Sequence, residues 1–316
     1  MGNTYASAVL GWYANNARDL PWRSPDASPW SVLVSEIMLQ QTPVARVLPA
    51  HAAWLARWPT PRSLAASAPG DAVRQWDRLG YPRRALWLHA TATILTSDHD
   101  GQVPASVPTL RQLPGIGSYT AAAVASFAFG QRHAVLDTNV RRVLARLIRG
   151  EDQPPRATSA AETALAESLL PADPPQAARW SVAVMELGAL VCTATRPRCA
   201  DCPVATSCAW RRAGKPPALV RPPAQRYTGT DRQCRGRLLA LLRQAPGPVP
   251  RAHLDSAWPD PAQRARALTA LIADGLAVPL EHDQYGLPDH VPVGVHGRAY
   301  HAQRAERAPG REPARP

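Results

Sequence analysis

Between Trp30 and about Leu147 the apolar positions return every three or four residues, in a succession of short segments: SVLVSEIMLQQ, VARVLPAHAAWLARW, PRSLAASA, DAVRQWDRL, RRALWLHATATILTSD, TAAAVASFAFG and NVRRVLARLIRG. That period keeps one face of a helix apolar turn after turn, and Pro and Gly at the joins stop each helix before the next begins. No long alternating run competes for a strand. Two further helical segments, SAAETALAESLL and PPQAARWSVAVMELGALV, follow, so residues 1–210 are predicted to form an all-α domain. Composition then shifts, and the Pro-rich, basic residues 211–233 predict a linker. Over 234–290 a helix, the turn APGPVPRAHL, a second helix and the short extended stretch LAVPLEHDQYGLP have the order of a small winged-helix-like module. The arginine-rich residues 291–316 have little to bury and are predicted to be a disordered tail.

Charge adds a partner to this picture. The 316 residues carry a formal net charge of +12 and a pI of about 10.3, with charges of both signs dispersed among 45% hydrophobic residues. A folded protein so basic suits a polyanion, with nucleic acid leading and the 211–233 linker lying along or close to a phosphate backbone. The competing explanation is a general compositional bias toward arginine, since alanine and proline are also abundant. The N-terminus lacks a basic region followed by an apolar run, and no apolar span of transmembrane length occurs, so a cytoplasmic protein with no membrane partner is expected. A single lysine, Lys215, is present.

Four of the five cysteines lie within VCTATRPRCADCPVATSC. In a chain long enough to stand without cross-links, in a reducing compartment, clustered thiols are read as metal ligands before disulfides. Cys192, Cys199, Cys202 and Cys208 are spaced C-x6-C-x2-C-x5-C. Zinc favours two C-x2-C pairs, whereas one pair with outer ligands spread around a compact loop suits a [4Fe-4S] cluster; both remain open on spacing alone. Cys234 lies apart and reads as an ordinary structural thiol.

Three further stretches carry candidate chemistry. Glu36 sits inside an apolar helix among Val32, Leu33, Ile37 and Leu39, where burial raises a carboxyl pKa and makes a general acid; the alternative is a partly exposed helical residue. Gly115 and Gly117, in LPGIGSYTAAA, can adopt backbone angles closed to other residues and let peptide N–H groups at a helix start approach an anion, though a plain interhelical turn looks the same. Asp137, in LDTNVRRVLARL, reads as a helix N-cap with Val140, Val143, Leu144 and Leu147 forming the apolar stripe behind it. A capping carboxylate stays ionised.

Taken in order, PWR, SEIMLQQTPV, LGYPRRA, LPGIGSYTAAA, LDTNVRRVLARL and the four-cysteine loop resemble the adenine DNA glycosylases of the MutY type, iron–sulfur members of the helix-hairpin-helix, endonuclease III superfamily, over roughly residues 5–210. The resemblance implies a helix-hairpin-helix glycosylase fold whose [4Fe-4S] cluster is held by the four cysteines, plays an architectural part, and presents Arg196 and Arg198 to DNA phosphates. It implies that Glu36 protonates adenine N7 and later handles the water, and that Asp137, with Asn139 in the same motif, stabilises the oxocarbenium ion. Gln41 and Thr42 of LQQT and Tyr81 of LGY match residues at the stack beside the lesion, where Gln41 and Tyr81 wedge in. Trp22, Arg23 and Trp30 would form or close the pocket for the flipped base, and Gly115 and Gly117 the phosphate grip. Tyr119 occupies the slot where endonuclease III relatives carry a lysine, so a monofunctional enzyme leaving an abasic site is implied. Its partner is double-stranded DNA containing mismatched adenine, opposite 8-oxoguanine or guanine, bound by a monomer in the cytoplasm at the nucleoid.

The chain departs from the family in two respects. It lacks the β-rich C-terminal domain whose Phe-Ser-His loop reads 8-oxoguanine, and Thr138 stands where glycine is commoner, as in the endonuclease III branch. Two rival readings therefore stand beside the first: a thymine or oxidised-pyrimidine glycosylase on the same scaffold, and a non-catalytic iron–sulfur DNA-binding regulator.

Overall fold

The computed structural model describes residues 4–217 and 227–289. The helices, in chain order, are α1 (Ala6–Asn16), α2 (Pro29–Leu39), α3 (Val44–Arg57), α4 (Pro61–Ala65), α5 (Pro69–Trp76), α6 (Arg83–Asp98), α7 (Val107–Leu110), α8 (Ser118–Phe129), α9 (Thr138–Leu144), α10 (Ala160–Ser168), α11 (Pro174–Leu190), α12 (Ala209–Arg212), α13 (Asp231–Gln244), α14 (Arg251–Asp255) and α15 (Pro261–Ala273). Three short strands, β1 (Val249–Pro250), β2 (Val278–Leu280) and β3 (Gln284–Gly286), form an antiparallel sheet in the order β1-β3-β2. Among the described residues no helix is long and apolar enough to cross a membrane. Among the described residues the protein is therefore mostly helical, with strands only over 249–286.

Two compact units divide the described residues: 4–36, 104–111 and 116–217 form one, and 37–103, 112–115 and 227–289 the other. The first is built on α11, whose long apolar stripe meets α1 and α9. Val9, Val140, Val143, Leu144, Leu147, Trp180, Val184 and Leu187 share its core, which is where the expected stripe behind Asp137 goes. Gly188 lets α9 come close, because a Cβ there would lie 2.7 Å from the Asn139 Cβ. Beyond Leu144 the helix widens into a π turn over Ala145–Arg149.

In the second unit α4 and α5 pack on α6, around the edge-to-face tryptophans Trp54, Trp58 and Trp76. The C-terminal module belongs to this unit. Its order, α13, β1, α14, α15, then the β2–β3 hairpin, is that of a winged helix; the segment expected to be a plain turn before the second helix contains β1 and α14. Helix α13 starts at Asp231, a few residues before the expected 234, because the Thr230 side chain accepts from the Gln233 N–H and caps it. The module is tied to the helices it joins by hydrogen bonds from side chains and backbone. Arg243 donates to the Asp77 carbonyl (2.6 Å), Arg83 to Asp274 (3.1 Å) and Arg74 to Asp289 (3.4 Å), and the Gly70 N–H meets the Pro288 carbonyl (3.0 Å). Most of the expected linker, 218–226, and the expected tail, 291–316, lie outside the described residues.

Candidate active site

Helix α2 is buried on all sides from Trp30 to Met38, because nearly every residue in that run is apolar, and Glu36 is carried inside with it at 5% exposure. Burial, reinforced by the charge of Asp137, pushes the Glu36 carboxyl up to about 7; a hydrogen bond from the Tyr119 hydroxyl and the charge of Arg23 oppose that rise. Tyr119 is on the first turn of α8. Its own ionisation is pushed well above the ordinary phenol range, by burial first and then by the two carboxylates, so it remains a neutral donor. Four of the predicted residues, Glu36, Tyr119, Asp137 and Arg23, are thus brought into one electrostatic cluster.

Asp137 caps α9: one carboxylate oxygen accepts from the Val140 N–H at 2.6 Å and the other from the Asn139 amide at 2.8 Å. Burial lifts this carboxyl above its ordinary range, against those hydrogen bonds and the charge of Arg142. The cap's hydrogen bonds favour the ionised form, and desolvation is the larger, opposing influence on its titration. Arg142, which sequence reasoning did not single out, holds the arrangement from behind. It donates to the Asn139 side-chain oxygen (2.8 Å), the Gly188 carbonyl (2.8 Å) and the Cys192 carbonyl (2.8 Å), so the Asp137–Asn139 cap and the cysteine loop hang on one guanidinium.

Arg23 follows Pro21 and Trp22 in a short 3₁₀ turn and points to a second acid the sequence reading missed, Glu186. That carboxylate is fully buried on α11. It accepts both side-chain donors of Arg18 (2.7 Å each) and one from Arg23 (2.9 Å). Burial alone would raise it, but the Arg18 hydrogen bond and the Arg23 charge hold it below its ordinary range. Glu186 gives the same signal as Glu36, an acid on an otherwise apolar helix. Trp22 and Trp30 are both buried.

The predicted residues Gln41, Thr42, Tyr81 and Gly115 belong to the second unit. Gln41 (φ 56) and Tyr81 (φ 47) are both left-handed and both exposed, Tyr81 at 48%. Buried Arg84 lies behind them and donates to the carbonyls of Ile37, Met38, Gln40 and Gly80 and to the Thr42 hydroxyl at 2.6–3.0 Å. Gly115 (φ 75) is required to be glycine, since a Cβ would also press on Trp87 at 3.0 Å. Gly117, by contrast, is extended (φ −88) with open space around it. The expected special backbone angle is therefore corrected there: it is an ordinary exposed N-cap whose lack of a side chain leaves the start of α8 uncovered.

Cys192, Cys199, Cys202 and Cys208 line one cavity together with Arg146, Val191, Pro197, Trp210 and Arg211. Arg146, 1% exposed, donates to the Cys192 sulfur (3.4 Å), to the Thr193 carbonyl (2.7 Å) and to Asp152 (2.6 Å), with Trp210 stacked on its guanidinium. Burial pushes the Cys202 thiol up to about 11. Among the described residues no three His, Cys, Asp or Glu side chains are spaced to hold a single metal ion. Arg196 is exposed, while Arg198 donates to the Leu190 carbonyl (2.8 Å) and faces Asp201 (3.6 Å). Cys234 is buried in the second unit, as a structural thiol would be.

Residues 34–168 match the family described as HhH-GPD superfamily base excision DNA repair protein. An adenine DNA glycosylase of Mycobacterium tuberculosis is 52% identical over 282 residues, covering 89% of this chain and 92% of the relative. One of Mycolicibacterium smegmatis is 51% identical over 287 residues, covering 90% and 97%. Since 282 aligned residues exceed the 217 that precede residue 218, both alignments extend beyond the glycosylase portion. Among solved structures, a thermostable thymine-DNA glycosylase superposes with a TM-score of 0.60 at 26% identity, covering 66% of this chain and 95% of that one.

Proposed function

From the membership of this chain in the adenine DNA glycosylases, within the HhH-GPD superfamily of base excision DNA repair proteins, we propose that it hydrolyses the N-glycosidic bond of adenine mispaired with 8-oxoguanine or guanine in double-stranded DNA. The observation that carries the reading is a carboxyl poised near neutrality, Glu36, in one cluster with a capped carboxylate, Asp137, and a neutral hydroxyl, Tyr119.

The flipped base enters a pocket to which Trp22, Arg23 and Trp30 contribute. Protonated Glu36 donates to adenine N7, which makes the base a better leaving group, and the C1′–N9 bond breaks. Positive charge then builds on the sugar. Asp137, held by the Val140 N–H, Asn139 and Arg142, is the anion positioned to stabilise it. Water attacks C1′ and gives its proton to the Glu36 carboxylate, which restores the starting state and leaves an abasic site. Tyr119 offers a hydroxyl where a Schiff-base enzyme needs an amine, so strand cleavage by an enzyme-bound amine does not follow. The uncovered start of α8 at Gly117 accepts a phosphate, and the protein acts on chromosomal DNA as a monomer.

The cysteine loop fits a [4Fe-4S] cluster. Four thiolates bring concentrated negative charge, and Arg146 and Arg142 stand against it. When bound, the cluster supplies a rigid cross-link for the loop that carries Arg196, and the reaction itself is left to Glu36 and Asp137.

Similarity to a thymine-DNA glycosylase keeps that substrate as the second reading. Single-turnover excision from duplexes holding A opposite G, A opposite 8-oxoguanine and T opposite G separates the two. Release of adenine alone supports the proposal, and release of thymine overturns it. A regulator without catalytic activity would release neither.

A further inference from the structure

We infer that Arg84 is a positioning residue for base extrusion: one buried guanidinium locks the Gln41 turn to the Tyr81 turn, so that both enter the duplex as a single preformed wedge. This rests on the proposed wedge role of Gln41 and Tyr81.

Helix α2 ends at Leu39, and its last carbonyls have no partner further along the helix. Arg84 supplies one. Its Nη1 donates to the carbonyls of Ile37 (2.8 Å), Met38 (2.9 Å) and Gln40 (2.6 Å), placing a cation on the negative end of the helix and fixing the backbone immediately before Gln41. The other side of the fork faces the second turn. Nη2 donates to the Gly80 carbonyl (3.0 Å) and Nε to that of Tyr81 (3.4 Å). Thr42 completes the cross-link, since its hydroxyl accepts from Nη2 (2.8 Å) and donates to the Leu79 carbonyl (3.2 Å). The guanidinium also lies over the rings of Trp76 (5.1 Å) and Tyr81 (5.5 Å).

The two wedge residues need such a clamp. Neither is glycine, yet both sit in the left-handed region, which an exposed turn leaves when nothing holds it. A turn that relaxes must be reordered against the DNA each time a base is extruded, whereas a held one meets the stack already shaped. Lysine cannot replace arginine here. Its single ammonium carries three donors on a flexible stem, while the acceptors lie on both sides of a planar fork.

The test compares adenine paired in a duplex with adenine already unpaired in a bulge, for the full-length protein and for R84M and R84K. Extrusion is followed separately by the fluorescence of 2-aminopurine at the target position. Arg84→Met should slow excision of paired adenine about 10- to 100-fold, weaken the fluorescence rise, and leave bulged adenine within about threefold of the wild-type rate. R84K should fall between, and it carries the test if R84M does not fold. Combined with Y81A, the R84M loss should be less than additive, because both remove the same wedge. Equal losses on paired and bulged adenine, or a wild-type rate on both, would overturn the inference. If Y81A and Q41A themselves leave extrusion unchanged, the wedge reading falls first, and those variants show it without any change at Arg84.

Discussion

Glu36 keeps its proton at a pH where an exposed glutamate has lost it, and four measurements follow at this scale. Glu36→Gln should lower single-turnover excision by about 10²- to 10⁴-fold, the range for loss of a general acid, while mispair binding is retained. The wild-type rate should fall as pH rises through about 7, because the donor is then deprotonated. The Tyr119 hydroxyl stabilises the charged form of Glu36. Tyr119→Phe should therefore move that limb to higher pH, and a shift downward would contradict the assigned hydrogen bond. The same titration appears in stability. Between the ordinary glutamate value and about 7 the folded state binds the extra proton, so this contribution is complete at low pH and lost as pH rises through 7. E36Q lacks that loss. On going from pH 5 to pH 8 it should gain on wild type by up to about 3 kcal/mol in urea denaturation.

At the scale of elements, α9 and α11 meet through Gly188, and a Cβ there would collide with Asn139. Gly188→Ala should push the start of α9 away, turn the Asp137 carboxylate, and cut the excision rate about tenfold or more with little change in duplex affinity; an unchanged rate would show that Asp137 tolerates displacement. Much of the site could be read without a structure because its signals are local. An acid among apolar neighbours marked Glu36, a cap before an apolar stripe marked Asp137, and a short cysteine spacing marked the loop. What escaped notice depends on partners distant in the chain. Arg142 reaches Gly188 and Cys192, Arg84 reaches back to Ile37, and Glu186 meets Arg18 across 168 positions. An arginine in a basic chain carries no mark of such a partner, and a glycine inside a helix reads as a weak point rather than a contact. Gly117 erred the other way: the local pattern pointed to a special backbone angle that an extended N-cap does not use.

For the whole molecule, the cysteine loop and the C-terminal module each make a prediction. Metal analysis of the purified protein should find about four irons per chain and no stoichiometric zinc; one zinc per chain would replace the cluster. Removal of residues 227–316 takes away Asp274, Arg243 and Asp289, the partners of Arg83, the Asp77 carbonyl and Arg74. The shortened protein should unfold at a lower temperature than the intact one, and hydrogen exchange should quicken in α5 and α6 before α11. Within the described residues the chain passes from one unit to the other after residues 36, 103, 111 and 115 and again between 217 and 227, so neither unit is a continuous stretch that a single cut could release. A premature stop shortly after residue 217 would therefore spare Glu36, Tyr119, Asp137 and all four loop cysteines, yet strike α5 and α6, the helices on either side of the Tyr81 turn. Damage from such an allele would look like a stability defect in the middle of the gene, although every missing codon lies at its end.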